Sequence, residues 1–196
     1  FRSKGAPARL RCGFADYFVP GWYDDHWVCE YWDNNCGQWK LLDAEIGPVE
    51  RDYFKIEFDQ TNISREKFLV GGRAWQACRA GKINPDTMGV ANIPHVKGLW
   101  FVRADVIRDL AALNKIELLP WDFTEHFDEP FKSLDDLAER ELKLVDEVAE
   151  ITAKERSDFE KIRMIYRNNP DLQIGDYIRS YQGGGKGPTI VYLKVE

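Results

Sequence analysis

The sequence predicts an α+β protein in which an antiparallel sheet comes first and a mainly helical half follows. Segments before residue 60 are rich in the aromatic and β-branched residues that suit a pleated, half-buried surface. Beyond residue 60, most segments carry apolar residues at the three- and four-residue spacing of helices. Segregated strands and helices are typical of α+β proteins. We therefore expect a sheet-bearing part in residues 1–60 and, packed on it, a mainly helical extension in residues 61–196 that closes with a strand.

Three strand patterns open the chain, at about residues 7–18, 25–33 and 37–45. The segments between them, VPGW and DNNCG, contain the Pro, Gly and Asn residues that turns require. We expect the second and third strands to form a hairpin. A fourth strand is predicted near residues 52–58, within the segment GPVERDYFKIEFD.

Four helices are predicted in the second part of the chain. The first is capped by Ser64 and stops at Gly81, and the Gly71-Gly72 pair weakens it because glycine disfavours helix interiors. The other three are an amphipathic helix at 104–115, a helix that Ser133 opens and that runs to residue 152, and a helix at about 154–168. The segment PTIVYLKV is predicted as the closing strand.

The composition limits the kinds of binding partner and the cellular compartment that we expect for this protein. The chain has 27 basic and 33 acidic residues and a net charge of −6, so we expect neither nucleic acid nor a membrane as a partner. No apolar run approaches the roughly 18 residues that span a bilayer, and FRSKGAPARL lacks the features of a signal peptide. We expect a cytoplasmic protein. The four cysteines have no C-x-x-C spacing and the three histidines have no partner at i+4, so neither a metal nor a cofactor is predicted.

One histidine and one aspartate form a candidate site. His26 lies near the start of the second strand pattern, and Asp43 lies near the end of the third. Period-two alternation places His26 on one face with Val28 and Glu30, and Asp43 on one face with Leu41. Antiparallel pairing brings the start of one strand beside the end of the next, so we expect the two side chains to meet. The plainer alternative is a core histidine bonded to a backbone carbonyl and an aspartate in a turn or an ion pair.

Three segments resemble the histidine and aspartate strands of the transglutaminase-like superfamily: RLRCGFADYF, DDHWVCEYWD and GQWKLLDAEI. The core of that family shares its arrangement with papain and with peptide N-glycanases. The resemblance covers about residues 1–46, and GRAWQACRAG, GLWFVRADVIRDLAALNK and ELLPWD also look like later parts of bacterial proteins in the superfamily. It implies a transglutaminase-like or papain-like core, of which residues 1–60 form the C-terminal part.

The resemblance also implies a chemistry. In the family, a cysteine at the start of a helix is the nucleophile, and the strands that follow supply a histidine and then an aspartate. A thiol with a pKa of about 8.5 needs an imidazole to take its proton, and the imidazole needs an acceptor on its other nitrogen. His26 would be the base and then the acid, and Asp43 the orienting group, in a cysteine hydrolase or acyltransferase that acts on a peptide or amide substrate.

None of the four cysteines matches the position of the family's nucleophile. Cys12 falls inside a strand, and Cys29 lies on the strand face opposite His26. Cys36 lies in the hairpin turn and Cys78 near a helix end. A helix N-terminus, which would lower the pKa of a thiol, is predicted at none of these positions.

The first five residues indicate where the family's nucleophile cysteine would lie. FRSKG reads like the last turn of a helix capped at Gly5, so we expect the cysteine upstream of Phe1 and the 196-residue chain to be inactive by itself. Part of the apolar face of the strands in residues 7–45 would then be uncovered, which predicts a homo-oligomer or further upstream residues. Two alternatives stay open: a short N-terminal helix that is complete as it stands, and a non-catalytic binding or scaffold module that keeps the fold without the nucleophile.

Overall fold

The computed structural model describes residues 5–116, 118–124, 135, 137–156, 158–181 and 187–193. These residues form eight strands and five α-helices, in agreement with the predicted α+β class. One sheet has the order β3-β2-β1-β4 with β5 also paired to β2, and a second has the order β6-β7-β8. In chain order the elements are β1 (Ala8–Ala15), β2 (Tyr23–Asp33), β3 (Gln38–Leu42), α1 (Pro48–Tyr53), β4 (Phe68–Val70), α2 (Gly71–Arg79), β5 (Met88–Gly89), α3 (Leu99–Leu113), β6 (Asp122–Phe123), α4 (Glu139–Thr152), α5 (Phe159–Asn168), β7 (Tyr177–Ser180) and β8 (Thr189–Tyr192).

The first sheet is held in register by its buried face. β1 pairs antiparallel with β2 so that Gly13 lies opposite His26, and β2 pairs antiparallel with β3 so that Glu30 lies opposite Leu41. The predicted hairpin is therefore present. His26, Val28 and Glu30 are buried, whereas the residues that alternate with them are half-buried. A one-residue slip would move this whole set to the other face, so the pattern fixes the pairing.

Along one of its two edges, β2 pairs with β5 near its start and with β3 near its end. β3 pairs with residues 29–33 of β2, and β5 pairs in parallel with residues 23–24. Within the described ranges no strand pairs with residues 25–28 on that side. His26 therefore lies at an opening in the sheet, where side chains from the flanking segments reach it.

Residues 52–58 do not form the predicted strand. α1 occupies Pro48–Tyr53 instead, and turns follow it. Pro48 suits the first helical position because its φ is already helical, and the Gly47 N–H donates to the Glu50 carboxylate at 3.0 Å. Lys55, with a φ of +54°, ends the helical path. These local start and stop signals outweigh the strand propensity of the aromatic residues.

Ser64 does not cap a helix, contrary to the prediction. The chain enters β4 first, and α2 begins only at Gly71. Phe68 and Val70 are buried while they pair with Ala15 and Gly13 of β1. Completing the sheet and burying these two side chains decides the conformation here.

The Gly71-Gly72 pair has a packing role. A Cβ on Gly71 would lie 2.6 Å from the Asp105 carbonyl oxygen of α3, and one on Gly72 would lie 2.7 Å from the Ala149 carbonyl oxygen of α4. The residues that weaken an isolated helix thus allow α2 to approach both neighbours closely. The helix ends as predicted near Gly81, whose φ is +67°.

α3 is a buried helix and not the amphipathic helix that was predicted. It begins at Leu99, and every residue from 101 to 113 is buried. Three of its charged residues form ion pairs inside the protein: Arg108 pairs with Asp105 at 2.7 Å, and Asp109 pairs with Arg11 of β1 at 2.8 Å. A hydrophobicity pattern treats such residues as solvent-facing, so the pattern underestimated how deeply the helix is buried.

The last elements follow the predictions in outline. α4 buries Leu144, Val145 and Val148, the apolar face expected from the spacing. α5 begins at Phe159 and is capped by Asp158, whose carboxylate accepts the N–H groups of Glu160 and Lys161. The closing strand is β8, and it pairs with β7, which was not predicted.

Two predictions fall outside the described residues, namely the helix start at Ser133 and most of the helix end in FRSKG. Of the latter segment only Gly5 is described, and its φ is +74°. None of the helices in the described ranges is long and apolar enough to cross a bilayer.

Two carboxyl groups, one from β2 and one from α3, lie close together inside the protein. Asp25 of β2 and Asp105 of α3 are within hydrogen-bonding contact, and neither Asp25 Oδ1 nor Asp105 Oδ2 has a donor among the described residues. Burial, together with the neighbouring carboxylates, raises the pKa of Asp25 well above its usual range. Burial raises the pKa of Asp105 to about 6, although Arg108 opposes the rise. One proton held between the two carboxyls would satisfy both oxygens.

This pair predicts that the protein loses stability as the pH rises from 5 to 8. A group whose pKa is higher in the folded than in the unfolded state stabilises the fold at low pH, and that contribution is lost as the pH passes the folded pKa. For Asp105 alone the expected loss between pH 5 and pH 8 is on the order of 1 kcal/mol. Urea unfolding at pH 5, 6, 7 and 8 measures this change in the free energy of unfolding.

Asp105→Asn is expected to flatten this pH profile, because the amide donates to Asp25 without a shared proton and keeps an acceptor for Arg108. Asp52→Asn is the matched control, since Asp52 is exposed and pairs only with the exposed Lys55. An unfolding free energy that stays constant or rises from pH 5 to pH 8 in the parent chain would contradict the shared proton.

Candidate active site

His26 and Asp43 form the hydrogen bond that their strand positions predict. His26 Nε2 lies 2.7 Å from Asp43 Oδ2. His26 projects from β2 at the opening in the sheet, and Asp43 directly follows β3. The exposed fraction of His26 is 9% and that of Asp43 is 1%, so the pair is largely shielded from solvent.

The Asp43 carboxylate accepts two further hydrogen bonds. The Tyr17 hydroxyl donates to Oδ2 at 2.8 Å, and the Glu45 N–H donates to Oδ1 at 2.9 Å. Burial acts to raise the pKa of Asp43, but the bonds and charge of His26, with the Glu45 amide and Tyr17, outweigh it and hold the pKa below its usual value. The geometry therefore favours an ionised carboxylate beside the imidazole.

The position of Asp43 assigns the hydrogen on the imidazole of His26. A carboxylate only accepts hydrogen bonds, so Nε2 carries the hydrogen that points at Asp43. In the neutral ring Nδ1 then has a free lone pair, and no described residue bonds to it. An imidazole oriented in this way can take a proton at Nδ1 from a nucleophile and later return it.

Aromatic rings connect His26 with the protein surface. The Phe18 ring meets His26 edge-on with centroids 4.9 Å apart, and Phe54 of the segment after α1 lies 5.0 Å from Phe18. Tyr53 lies 4.8 Å from Phe54 and is 77% exposed. This row of rings forms one wall of the opening and is suited to contact with apolar parts of a ligand.

Cys29 lies on the sheet face opposite His26, as its strand phase predicts, and Cys12 lies on the same face as Cys29. Cys12 lies beside Trp27 in the register of β1 and β2, and it is fully buried. Burial, with the charges of Asp109 and Asp105, raises the pKa of the Cys12 thiol well above its usual range. Neither thiol can reach Nδ1 of His26 from that face.

The other two cysteines lie in different parts of the fold. Cys36 is exposed in the turn between β2 and β3, at the opposite end of the hairpin from His26. Cys78 lies in α2 with its sulfur 3.3 Å from that of Met88, and burial raises the pKa of its thiol to about 11. None of the four cysteines is therefore a nucleophile for His26. No group of three or more metal-ligating side chains occurs in the described part of the chain.

The sheet face around His26 is not left uncovered, contrary to the prediction. Phe18, Phe54 and Phe58 pack against the core on this side, together with the buried Tyr17 and Ile56. Within the described residues, no large apolar side chain of β1, β2 or β3 is exposed. The segments after β1 and after β3 fold back over the site, so this face has no uncovered apolar surface that a second copy would have to bury.

The sequence reasoning missed Tyr17 and Phe18, which both contact the pair. Their signal was available in the motif GFADYF, where two adjacent aromatic residues follow the first strand. Tyr17 bonds to Asp43, and Phe18 packs on His26. Aromatic residues at a strand end are most often core residues, so only the fold distinguishes this role.

Comparison of the chain with protein-family models, with curated proteins and with solved structures found no match.

Proposed function

We propose that His26 and Asp43 are the base and the orienting carboxylate of a transglutaminase-like cysteine hydrolase or acyltransferase that acts on peptide or amide bonds. The observation that carries the proposal is the 2.7 Å bond from His26 Nε2 to Asp43, which leaves Nδ1 as the free base in an opening of the sheet. The resemblance of the three strand segments to that superfamily supports the same chemistry.

The proposed reaction has two steps. Nδ1 of His26 takes the thiol proton, and the thiolate sulfur attacks the carbonyl carbon of the substrate. As the C–N bond breaks, His26 returns the proton to the leaving nitrogen, and an acyl thioester remains. A water molecule or an amine then attacks the thioester and gives its proton to His26. The C–S bond breaks, and the thiol recovers its proton.

The nucleophile in this proposal is a cysteine outside the 196 residues. Cys12 and Cys29 are on the wrong face of the sheet, and Cys36 and Cys78 are in other parts of the fold. The superfamily carries its cysteine on a helix that precedes the first of these strands, which would place it upstream of Phe1. Hydrolysis is favoured over transfer to an amine because water is always available as the acceptor.

The test compares two polypeptides on casein and on a γ-glutamyl amide. The 196-residue chain is expected to show no turnover, and a chain extended upstream by the residues that its gene encodes is expected to be active. In the extended chain, replacing the upstream cysteine by alanine should abolish activity, whereas Cys12→Ala, the matched thiol control, should not. Activity in the 196-residue chain that Cys12→Ala removes would contradict the proposal.

A second candidate function is a non-catalytic module that binds peptide or amide groups. The observation that favours it is the position of all four cysteines away from His26. It predicts that no cysteine precedes a helical apolar pattern upstream of Phe1, and that the extended chain binds casein without cleaving or cross-linking it.

A further inference from the structure

We propose that Tyr17 is a positioning residue for the His26–Asp43 pair, and that its hydroxyl holds the Asp43 carboxylate in the plane and charge state that the imidazole requires. The consequence for catalysis rests on the proposed function above. The effect on the carboxylate does not, since it belongs to the folded chain with or without a nucleophile.

The geometry places two donors on one carboxylate oxygen. Asp43 Oδ2 accepts from His26 Nε2 at 2.7 Å and from the Tyr17 hydroxyl at 2.8 Å, while Oδ1 accepts only from the Glu45 N–H. Because a carboxylate has no hydrogen to donate, Tyr17 must be the donor. Such charge-assisted bonds are stronger than bonds between neutral groups, so the oxygen shares its charge between Tyr17 and His26.

The Tyr17 ring is fixed by its packing. Its ring centroid lies 4.6 Å from that of Phe18 and 5.2 Å from that of Phe58. It meets the His26 ring edge-on, with the two centroids 6.2 Å apart. The residue is 8% exposed. A ring held on three sides presents its hydroxyl in one direction, so the hydrogen bond to Asp43 needs little further ordering.

The charges around the pair support an ionised Asp43 and a neutral phenol. Burial, followed by the charge of Asp43 and the weaker charges of Asp16 and Glu45, raises the pKa of Tyr17. Asp24 also lies close enough to His26 for their charges to interact, and Lys67 Nζ lies 3.8 Å from Asp16 Oδ1. Tyr17 therefore keeps its hydroxyl hydrogen for Asp43 across the range in which His26 works.

Removing the hydroxyl would change the carboxylate in two ways. Oδ2 would keep only His26 as a donor. The ionised form of Asp43 would then be less stabilised relative to the protonated form, so the pKa of Asp43 would rise. The carboxylate would also be freer to rotate about its Cβ–Cγ bond, because one of its three donors is lost. Both changes alter the orientation of the His26 ring and thus the direction of Nδ1.

The experiment is Tyr17→Phe in the 196-residue chain, with the side-chain carboxyl of Asp43 followed by ¹³C NMR from pH 2 to 7. The pKa of Asp43 is expected to rise by about half a unit or more. The His26 Nε2–H resonance is expected to move, since its acceptor oxygen has lost a second donor. Tyr31→Phe is the control, because it removes a tyrosine hydroxyl that bonds at 3.0 Å to the Thr61 carbonyl on the exposed side of β2. An unchanged Asp43 titration together with an unchanged Nε2–H resonance would overturn the inference.

A measurement on the parent chain makes the test independent of the variant's folding. The Tyr17 hydroxyl proton should be a slowly exchanging resonance with a nuclear Overhauser effect to His26 Nε2–H, because both hydrogens point at the same oxygen. Failure to detect this contact in a spectrum that shows the Nε2–H would also overturn the inference.

Kinetic measurements on the extended chain distinguish this inference from the proposed function. In the extended, cysteine-bearing chain, Tyr17→Phe should lower kcat about tenfold and displace the acid limb of its pH profile, with KM little changed. If the NMR changes appear while the extended parent chain turns over no substrate, the positioning of Asp43 by Tyr17 stands and the proposed function fails.

Discussion

Arg11→Ala is expected to lower the free energy of unfolding by about 3–5 kcal/mol, because it leaves the buried Asp109 carboxylate without its guanidinium partner and removes one of the three arginines that pair with the buried Glu30. Arg11 Nη2 lies 2.8 Å from Asp109 Oδ2, and its Nη1 lies 2.9 Å from Glu30 Oε2. Its Nη2 also donates to the Thr152 carbonyl at 2.8 Å. The guanidinium therefore joins β1 and β2 to α3 and α4, and it is fully buried.

The pKa of Glu30 shows how strongly the buried ion pairs around Arg11 depend on their arginines. Burial acts to raise the pKa of Glu30, but Arg11, Arg9 and Arg65 reverse the effect and bring it to about 2. Without Arg11, the carboxylate of Asp109 would keep only the Cys12 N–H as a donor from the sheet. An unpaired buried charge is costly, whereas the same pair when complete contributes little net stability.

Urea unfolding of Arg11→Ala at pH 7 measures the effect, and Arg163→Ala is the matched control. Arg163 pairs with Glu160 on the exposed side of α5, and surface pairs of this kind contribute little. A midpoint for Arg11→Ala that equals that of the control would mean that the buried carboxylates find other partners.

Under the proposed function, Asp43→Asn is expected to lower kcat/KM by about 10³- to 10⁴-fold in a chain that carries the proposed upstream cysteine, while the fold is retained. Asparagine has nearly the same shape and keeps an acceptor oxygen. It removes the charge that stabilises the imidazolium of His26, and its amide can force Nδ1 to carry the hydrogen instead of Nε2. The base would then be missing where the thiol needs it.

Steady-state turnover of a γ-glutamyl amide measures this loss, with Asp59→Asn as the matched control. Asp59 accepts from the Thr61 N–H at 2.8 Å in an exposed turn after α1. Its replacement should leave kcat/KM unchanged. A loss of less than tenfold for Asp43→Asn would show that Asp43 does not orient the base.

The sequence by itself determined the hairpin and the pair that the hairpin carries. Period-two alternation along β2 placed His26 on one face with Val28 and Glu30, and the antiparallel return of β3 brought Asp43 to it. Both are consequences of short-range geometry, since a strand has a period of two and a hairpin has one register. The placement of Cys29 on the opposite face followed from the same rule.

Only the tertiary structure decided which segments cover the pair and what lies inside the protein. Tyr17 and Phe18 reach the site because the chain after β1 folds back over the sheet, and α3 is buried because Arg11 neutralises Asp109 from a strand far away in sequence. Local patterns score charged residues as solvent-facing and aromatic residues as core. Partners that are distant in the chain reverse both assignments, because a buried charge is tolerated only where the fold brings its counter-charge.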